Sequence, residues 1–294
     1  MKLLATISAG NDLGEGPQWN ERDGRLWWLD IHGHRLHRLD PASGKVVSIE
    51  TPERIGSFAF LPEFGSRILA AFETGLAYFD IETKSIDWIV RPETSGGGRR
   101  FNDGRTDRQG RFWVATMVEN QDRAGADSAS LYRLDPGGTL STHLGGIAIG
   151  NSLCVSLDGR TLYFADTPKK IIFAFDLDPE TGSLSKQRIF AEAERGYPDG
   201  AVVDEEGCLW SARWGAGEVV RHAADGRVVD RLAVPARQTS CVAFGGRDRK
   251  TLFVTSAREG MDEAALATDP EAGSLFLFDS TVAGLADAPF TSGR

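Results

Sequence analysis

The sequence predicts an all-β fold, a six-bladed β-propeller with four-stranded blades, and three observations carry that expectation. Its 294 residues include 34 glycines, so turns are frequent and strands short. A weak unit recurs six times at a spacing of roughly 40–50 residues, the period of a propeller blade. No stretch sustains a 3.6-residue apolar period between caps, so long helices are not expected.

The units follow one grammar. The first reads GPQWNERDGRLWWLDIHGHRLHRLDPASGK and the second GSFAFLPEFGSRILAAFETGLAYFDIETKS. The third begins NDGRTDRQGRFWVATM and, after an insertion, ends SLYRLDPGGT; the fourth is NSLCVSLDGRTLYFADTPKKIIFAFDLDPETGS. The fifth is DGAVVDEEGCLWSARWGAGEVVRHAADGR, and the sixth TSCVAFGGRDRKTLFVTSAR, an insertion, then GSLFLFDS. Each opens with a short strand of small or apolar residues and turns at ERDG, EFGS, RQG, LDG, EEG or GRDRK. It returns through an aromatic and β-branched strand, and a third strand ends in a turn such as DPASG or DPETG. A single small sheet cannot bury both faces, whereas six around an axis bury one another and leave only short edges. The insertions, near 119–129 and 258–272, are expected as loops over one face. The segment KLLATIS has no partner in its own unit and is expected to close the last blade as its outermost strand. One domain is expected over residues 1–294.

Charge and cysteine content narrow the function. A formal net charge of −9 argues against nucleic acid, which needs a basic stripe, and against an anionic membrane surface. Cys154, Cys208 and Cys241 lie in apolar stretches with no close pair, so buried reduced thiols are expected, not disulfides or a zinc knuckle. MKLLATIS is too short for a signal-peptide core, and no apolar run approaches a membrane span. A cytoplasmic protein, monomeric or weakly homo-oligomeric, is expected.

The entrances to the six innermost strands converge on the central channel. There stand Glu15-Gly16-Pro17, Gly56-Ser57, Asn102-Asp103, Asn151-Ser152, Asp199-Gly200 and Thr239-Ser240. Antiparallel pairing brings the ends of the second strands to the same mouth: Asp30 to His32, Glu73, Met117 to Glu119, Asp166-Thr167, Arg213-Trp214 and Arg258. Glu15, Asn151 and Asp199 make a hard-cation site by ligand chemistry, suited to Ca²⁺, Mg²⁺ or Mn²⁺ and able to accept Fe²⁺ or Zn²⁺. Three protein ligands leave positions open, as in a catalytic rather than a closed structural site. Arg213 and Arg258 raise the idea of a substrate with an anionic group; salt bridges to nearby carboxylates are the plainer expectation. His32, His34 and His37 lack matching Cys or His partners and are expected to face solvent rather than bind zinc.

LGEGPQW, RRFNDGRTDRQGRFWVATM, IGNSLCVSLDGRTLYFAD, YPDGAVVDEEGCLW and TSCVAFGG, in that order over nearly the whole chain, resemble the family of senescence marker protein (regucalcin), gluconolactonase and luciferin-regenerating enzyme. The resemblance implies a six-bladed propeller and one divalent metal ion held by Glu15, Asn151 and Asp199. It implies substrate contacts from Arg100, Asn102 and Glu119, and hydrolysis of a sugar lactone. In that reaction Asp199 is the expected general base, and gluconolactone, xylonolactone, arabinolactone or an anionic relative the expected substrate. A calcium-binding regulatory propeller and an organophosphate or aryl-ester hydrolase are the alternatives. The latter class relies on channel histidines, which the recurrent channel positions here lack.

Overall fold

Period-two strands punctuated by Gly and Asp turns fold here into small antiparallel sheets, because each short strand reaches its neighbour through a tight turn. The computed structural model describes residues 1–63 and 65–292; Phe64 of the EFGS turn and the last two residues of the expected domain lie outside the described residues. Among those described, six four-stranded sheets form, five of them from four consecutive strands. The sixth blade is completed by Lys2–Ile7, which pairs antiparallel with Leu275–Asp279 as the outermost strand. The all-β propeller and its fastening by the first strand are therefore as expected.

Six apolar clusters hold the ring together, and they sit between blades rather than within them. Phe58, Phe72 and Phe79 of the second blade join Trp27 and Leu29 of the first. Leu26 and Trp28 on the other face of the first blade join Phe253 and Leu275 of the sixth. The remaining clusters link the other neighbours in turn. Each sheet thus buries both faces, and closure is what makes either burial possible.

An acidic residue in the hairpin turn fastens three of the blades. Asp23, Asp107 and Asp204 accept the indole N–H of Trp27, Trp113 and Trp210 at 3.0, 3.0 and 2.8 Å. Over the same rings lie the guanidinium groups of Arg38, Arg133 and Arg221, 5.2–5.7 Å from the centroids. Asp204 is fully buried and also accepts from Nε and Nη2 of Arg221. Asp204→Ala strands these donors and is expected to cost about 3 kcal/mol of stability. Urea denaturation would show this as a lower midpoint, with activity per folded molecule retained.

The innermost strands share a feature that the residue pattern alone does not announce. Gly14–Asn20, Ile55–Phe60, Arg99–Thr106, Gly150–Val155, Tyr197–Val203 and Thr239–Gly245 each shift register against the second strand near their start. Such a bulge re-aims side chains out of the ordinary alternation. It falls at Glu15/Gln18, Phe101/Gly104, Asn151/Cys154 and Pro198/Ala201, so Asn102 and Asp199 lie inside bulges and Glu15 and Asn151 begin them. Gly16 takes a positive φ of 54° within its bulge, as glycine does without strain. A Cβ on Gly200 would lie 2.1 Å from Cys241 Sγ, so the fifth and sixth blades approach only because that position is glycine.

The opposite end of the channel is covered by the segment after the last strand. A bridge joins Gly284 to Asp204, Arg105 Nη1 donates to Asp287 at 2.6 Å, and the amides of Phe290 and Thr291 donate to Phe60 and Gly110. The two insertions carry only short helices, Gln121–Ala124 and Glu263–Thr268. No helix among the described residues is long and apolar enough to cross a membrane. Two expectations are corrected here. His37 is buried, stacked on Trp28 at 4.9 Å and bonded to Ser48, and burial pushes its imidazole down to about 4. Cys208 is only partly buried, unlike Cys154 and Cys241.

Candidate active site

A cavity of about 480 Å³ opens at the mouth where the innermost strands begin. Glu15, Arg100, Asn102, Asn151 and Asp199 all line it, together with Glu259 and Thr167. Leu13, Met117, Ile149, Pro168, Tyr197 and Trp214 supply its apolar wall. The size and the mix of apolar wall with a few convergent polar groups suit a small molecule.

The polar groups form a chain of contacts around the ring. Arg100, almost fully buried, donates from Nε to Glu119 at 2.8 Å and from Nη1 to Asn102 Oδ1 at 2.7 Å. Asn102 Nδ2 donates to Asn151 Oδ1 and to the Gly150 carbonyl, both at 3.0 Å. Asn151 Nδ2 donates to Thr167 Oγ1, which donates to the Pro198 carbonyl, each at 2.9 Å. The neighbouring Ser152, held at a positive φ of 56°, donates to the Asp199 carbonyl at 2.5 Å. Residues from the third, fourth and fifth blades are thereby locked to one another, and the Asn151 amide oxygen keeps one lone pair uncommitted by these bonds.

The electrostatics are lopsided. Glu15, Asp103 and Asp199 are buried carboxylates that feel one another. Burial, then Asp103, pushes Glu15 up to about 8. Burial, then Glu15, then Asp103, pushes Asp199 well above the usual carboxylate range. Burial also raises Asp103, against the Leu153 amide that bonds it at 2.7 Å. Gathering carboxylates that disfavour each other's charge is costly unless something positive joins them.

Glu119 stands behind Arg100 instead of on the cavity wall. Both its oxygens receive Arg54, Nη1 and Nη2 each at 2.8 Å, and Arg54 Nε reaches Glu73 at 2.9 Å. Burial opposes its ionisation, but the bonds to Arg54 and Arg100 outweigh that and keep its carboxyl low. Arg213 does not reach the mouth: it is buried against His222 Nε2 at 2.8 Å. Arg258 turns into the sixth-blade insertion and donates to the Ala272 carbonyl at 2.9 Å. Asp30 and Asp166 serve backbone amides, those of Leu13 and Gly33 and of Ala148 and Ile149. Sequence reasoning missed Glu259, which follows the second strand of its blade as Glu119 does in the third, and gave no role to Tyr197.

Residues 13–258 match the family described as SMP-30/Gluconolactonase/LRE-like region. The chain belongs to the SMP-30/gluconolactonase/LRE-like family. It is 36% identical over 290 residues to a protein of Pseudomonas putida named 6-deoxy-6-sulfogluconolactonase, covering 98% of each chain. It is 39% identical over 283 residues to L-arabinolactonase of Azospirillum brasilense, covering 95% of this chain and 92% of that one. A solved structure of this family, a calcium-binding protein named regucalcin from Agrobacterium tumefaciens, superposes with a TM-score of 0.91 at 34% identity. That match covers 98% of this chain and 97% of the other. Similarity along the whole SMP-30/gluconolactonase/LRE-like chain agrees with the expectation drawn from the five motifs.

Proposed function

We propose that this chain is a divalent-metal-dependent lactonase that hydrolyses a sugar lactone to the open hydroxy acid. The observation that carries the reading is the convergence of Glu15, Asn151 and Asp199 on one cavity whose buried carboxylates lack sufficient counter-charge. Relatives named for lactonase activity along the whole chain support it.

The donor set fits a hard cation. Among the described residues no three His, Cys, Asp or Glu side chains group as metal ligands, so the fit depends on the Asn151 amide beside two carboxylates. Glu15, Asn151 and Asp199 would hold the ion, with Ca²⁺, Mg²⁺, Mn²⁺, Zn²⁺ and Fe²⁺ all compatible with oxygen donors. When bound, it supplies Lewis acidity to the ester carbonyl and neutralises the carboxylates around it.

The chain's own residues then divide the work. Asp199 takes a proton from the attacking water at its carboxylate oxygen as the new C–O bond forms. The ring C–O bond breaks, and Asp199 returns the proton to the ring oxygen, leaving a hydroxyl and a carboxylic acid. Arg100 and Asn102 read ring hydroxyls, with the fork of one and the paired donor and acceptor of the other. Glu119 and Arg54 hold Arg100 in place. No histidine lines the cavity among the described residues, which leaves the organophosphate or aryl-ester alternative without its usual groups.

A non-enzymatic calcium-binding role is the second reading, favoured by the name of the Agrobacterium neighbour. One experiment separates the two. The protein is dialysed against chelator, and lactone opening is followed by acid release above the spontaneous rate, across a panel of lactones and divalent cations. Turnover that is lost with the metal and restored by its return supports the lactonase. Absence of turnover with every pair, alongside calcium binding, would overturn it.

A further inference from the structure

Glu259 reaches the cavity wall from the sixth-blade insertion. It is held from two sides. Gln238 Nε2 donates to its backbone carbonyl at 3.0 Å, and His32 Nε2 of the first blade meets its Oε1 at 2.9 Å. Its side chain remains 44% exposed, so the carboxylate is braced yet open to a ligand.

The charges on that wall are unbalanced. Glu15, Asp199 and Glu259 face one guanidinium, that of Arg100, among the described lining residues. Arg100 is already committed to Glu119 through Nε and to Asn102 and the Phe101 carbonyl through Nη1. Arg54, Arg213 and Arg258, which also lie near this face, bond elsewhere. Glu15 and Asp199 have a role with the cation, whereas Glu259 has none. A fixed carboxylate accepts hydrogen bonds from hydroxyls and repels anions, so it both selects and rejects.

Resting on the lactonase reading, we propose that Glu259 determines specificity: it accepts a hydrogen bond from a hydroxyl of a neutral sugar lactone and excludes lactones carrying an anionic group at that end. Among the described lining residues no cation is left free for a sulfonate or phosphate, and Lys170, beside the wall, lies over the Tyr197 ring at 4.6 Å.

The test compares kcat and KM of the wild type, Glu259→Gln and Glu259→Ala on glucono-1,5-lactone and on 6-phosphoglucono-1,5-lactone, with thermal melting of each protein as a folding control. The wild type is expected to favour the neutral lactone by about 100-fold in kcat/KM. Glu259→Gln keeps an acceptor and loses the charge. It is expected to cut that preference about tenfold through a lower KM for the phosphorylated lactone, with kcat on the neutral one nearly unchanged. Glu259→Ala is expected to raise KM for the neutral lactone about tenfold. Equal kcat/KM for both lactones in the wild type, or a preference that Glu259→Gln does not move, would overturn the inference while leaving the lactonase reading intact. No turnover of either lactone, with any of the cations above, would overturn the inference, and the lactonase reading falls only if the wider lactone panel fails as well.

Discussion

Asp199→Asn is expected to lower kcat by about 10⁴-fold, the combined loss of a general base and a metal ligand. The same variant is expected to fold without penalty. In the cation-free protein, burial and the nearby Glu15 and Asp103 already favour a protonated Asp199, and an asparagine mimics that neutral state. Melting of the chelated variant should therefore match or exceed that of the chelated wild type, while added divalent cation should raise it less. Arg100→Ala provides the contrast. It removes a reader of hydroxyls, so kcat/KM is expected to fall by about 10²-fold, mainly through KM. Equal residual rates in the two variants would count against Asp199 as base.

The chelated wild type is expected to lose stability as pH rises from about 6.5 to about 8, above the range in which the buried His37 and His222, each held down to about 4, act with the opposite sign. The sign follows from Glu15, whose folded pKa of about 8 lies above its ordinary value of 4.5. Between those two values the folded state holds a proton that the unfolded state has released, so raising the pH favours unfolding. Asp199, displaced in the same direction, acts with the same sign. A divalent cation replaces those protons, so the rise in Tm that it gives should grow across the same window. Differential scanning calorimetry with and without chelator at several pH values reads both trends. A chelated Tm that climbs steadily from pH 6.5 to 8 would show that these carboxylates do not meet as described.

Much of the ring was legible in the sequence because turns and aromatic strands recur with little variation. The ERDG and EEG turns and the strands RLWWLD and CLWSAR mark blades almost unaided. The mouth was legible as far as chain order could take it, since strand starts must meet near the axis. That logic placed Glu15, Asn102, Asn151 and Asp199 beside one cavity. It failed at strand ends, where alternation decides which way a side chain points. Arg213 sits at such an end and faces into its blade, not the mouth. The bulges were illegible, because a register shift depends on what the partner strand does. His37 was read as exposed because nothing local announces that Trp28 will cover it. Glu259 was passed over for a different reason: the end of that second strand was followed only as far as Arg258, although the third blade carries Glu119 at the matching place.

The segment that ends in Phe290 and Thr291 makes this ring a cup rather than a tube. With Asp287 clasped by Arg105 and the amides of Phe290 and Thr291 tied to Phe60 and Gly110, chain crosses the floor of the ring. Whatever is poured in at the rim must come back out over it. Spent molecule and fresh arrival then share one doorway, so added acid is expected to slow turnover by competing with the lactone, which initial rates with and without the acid would check.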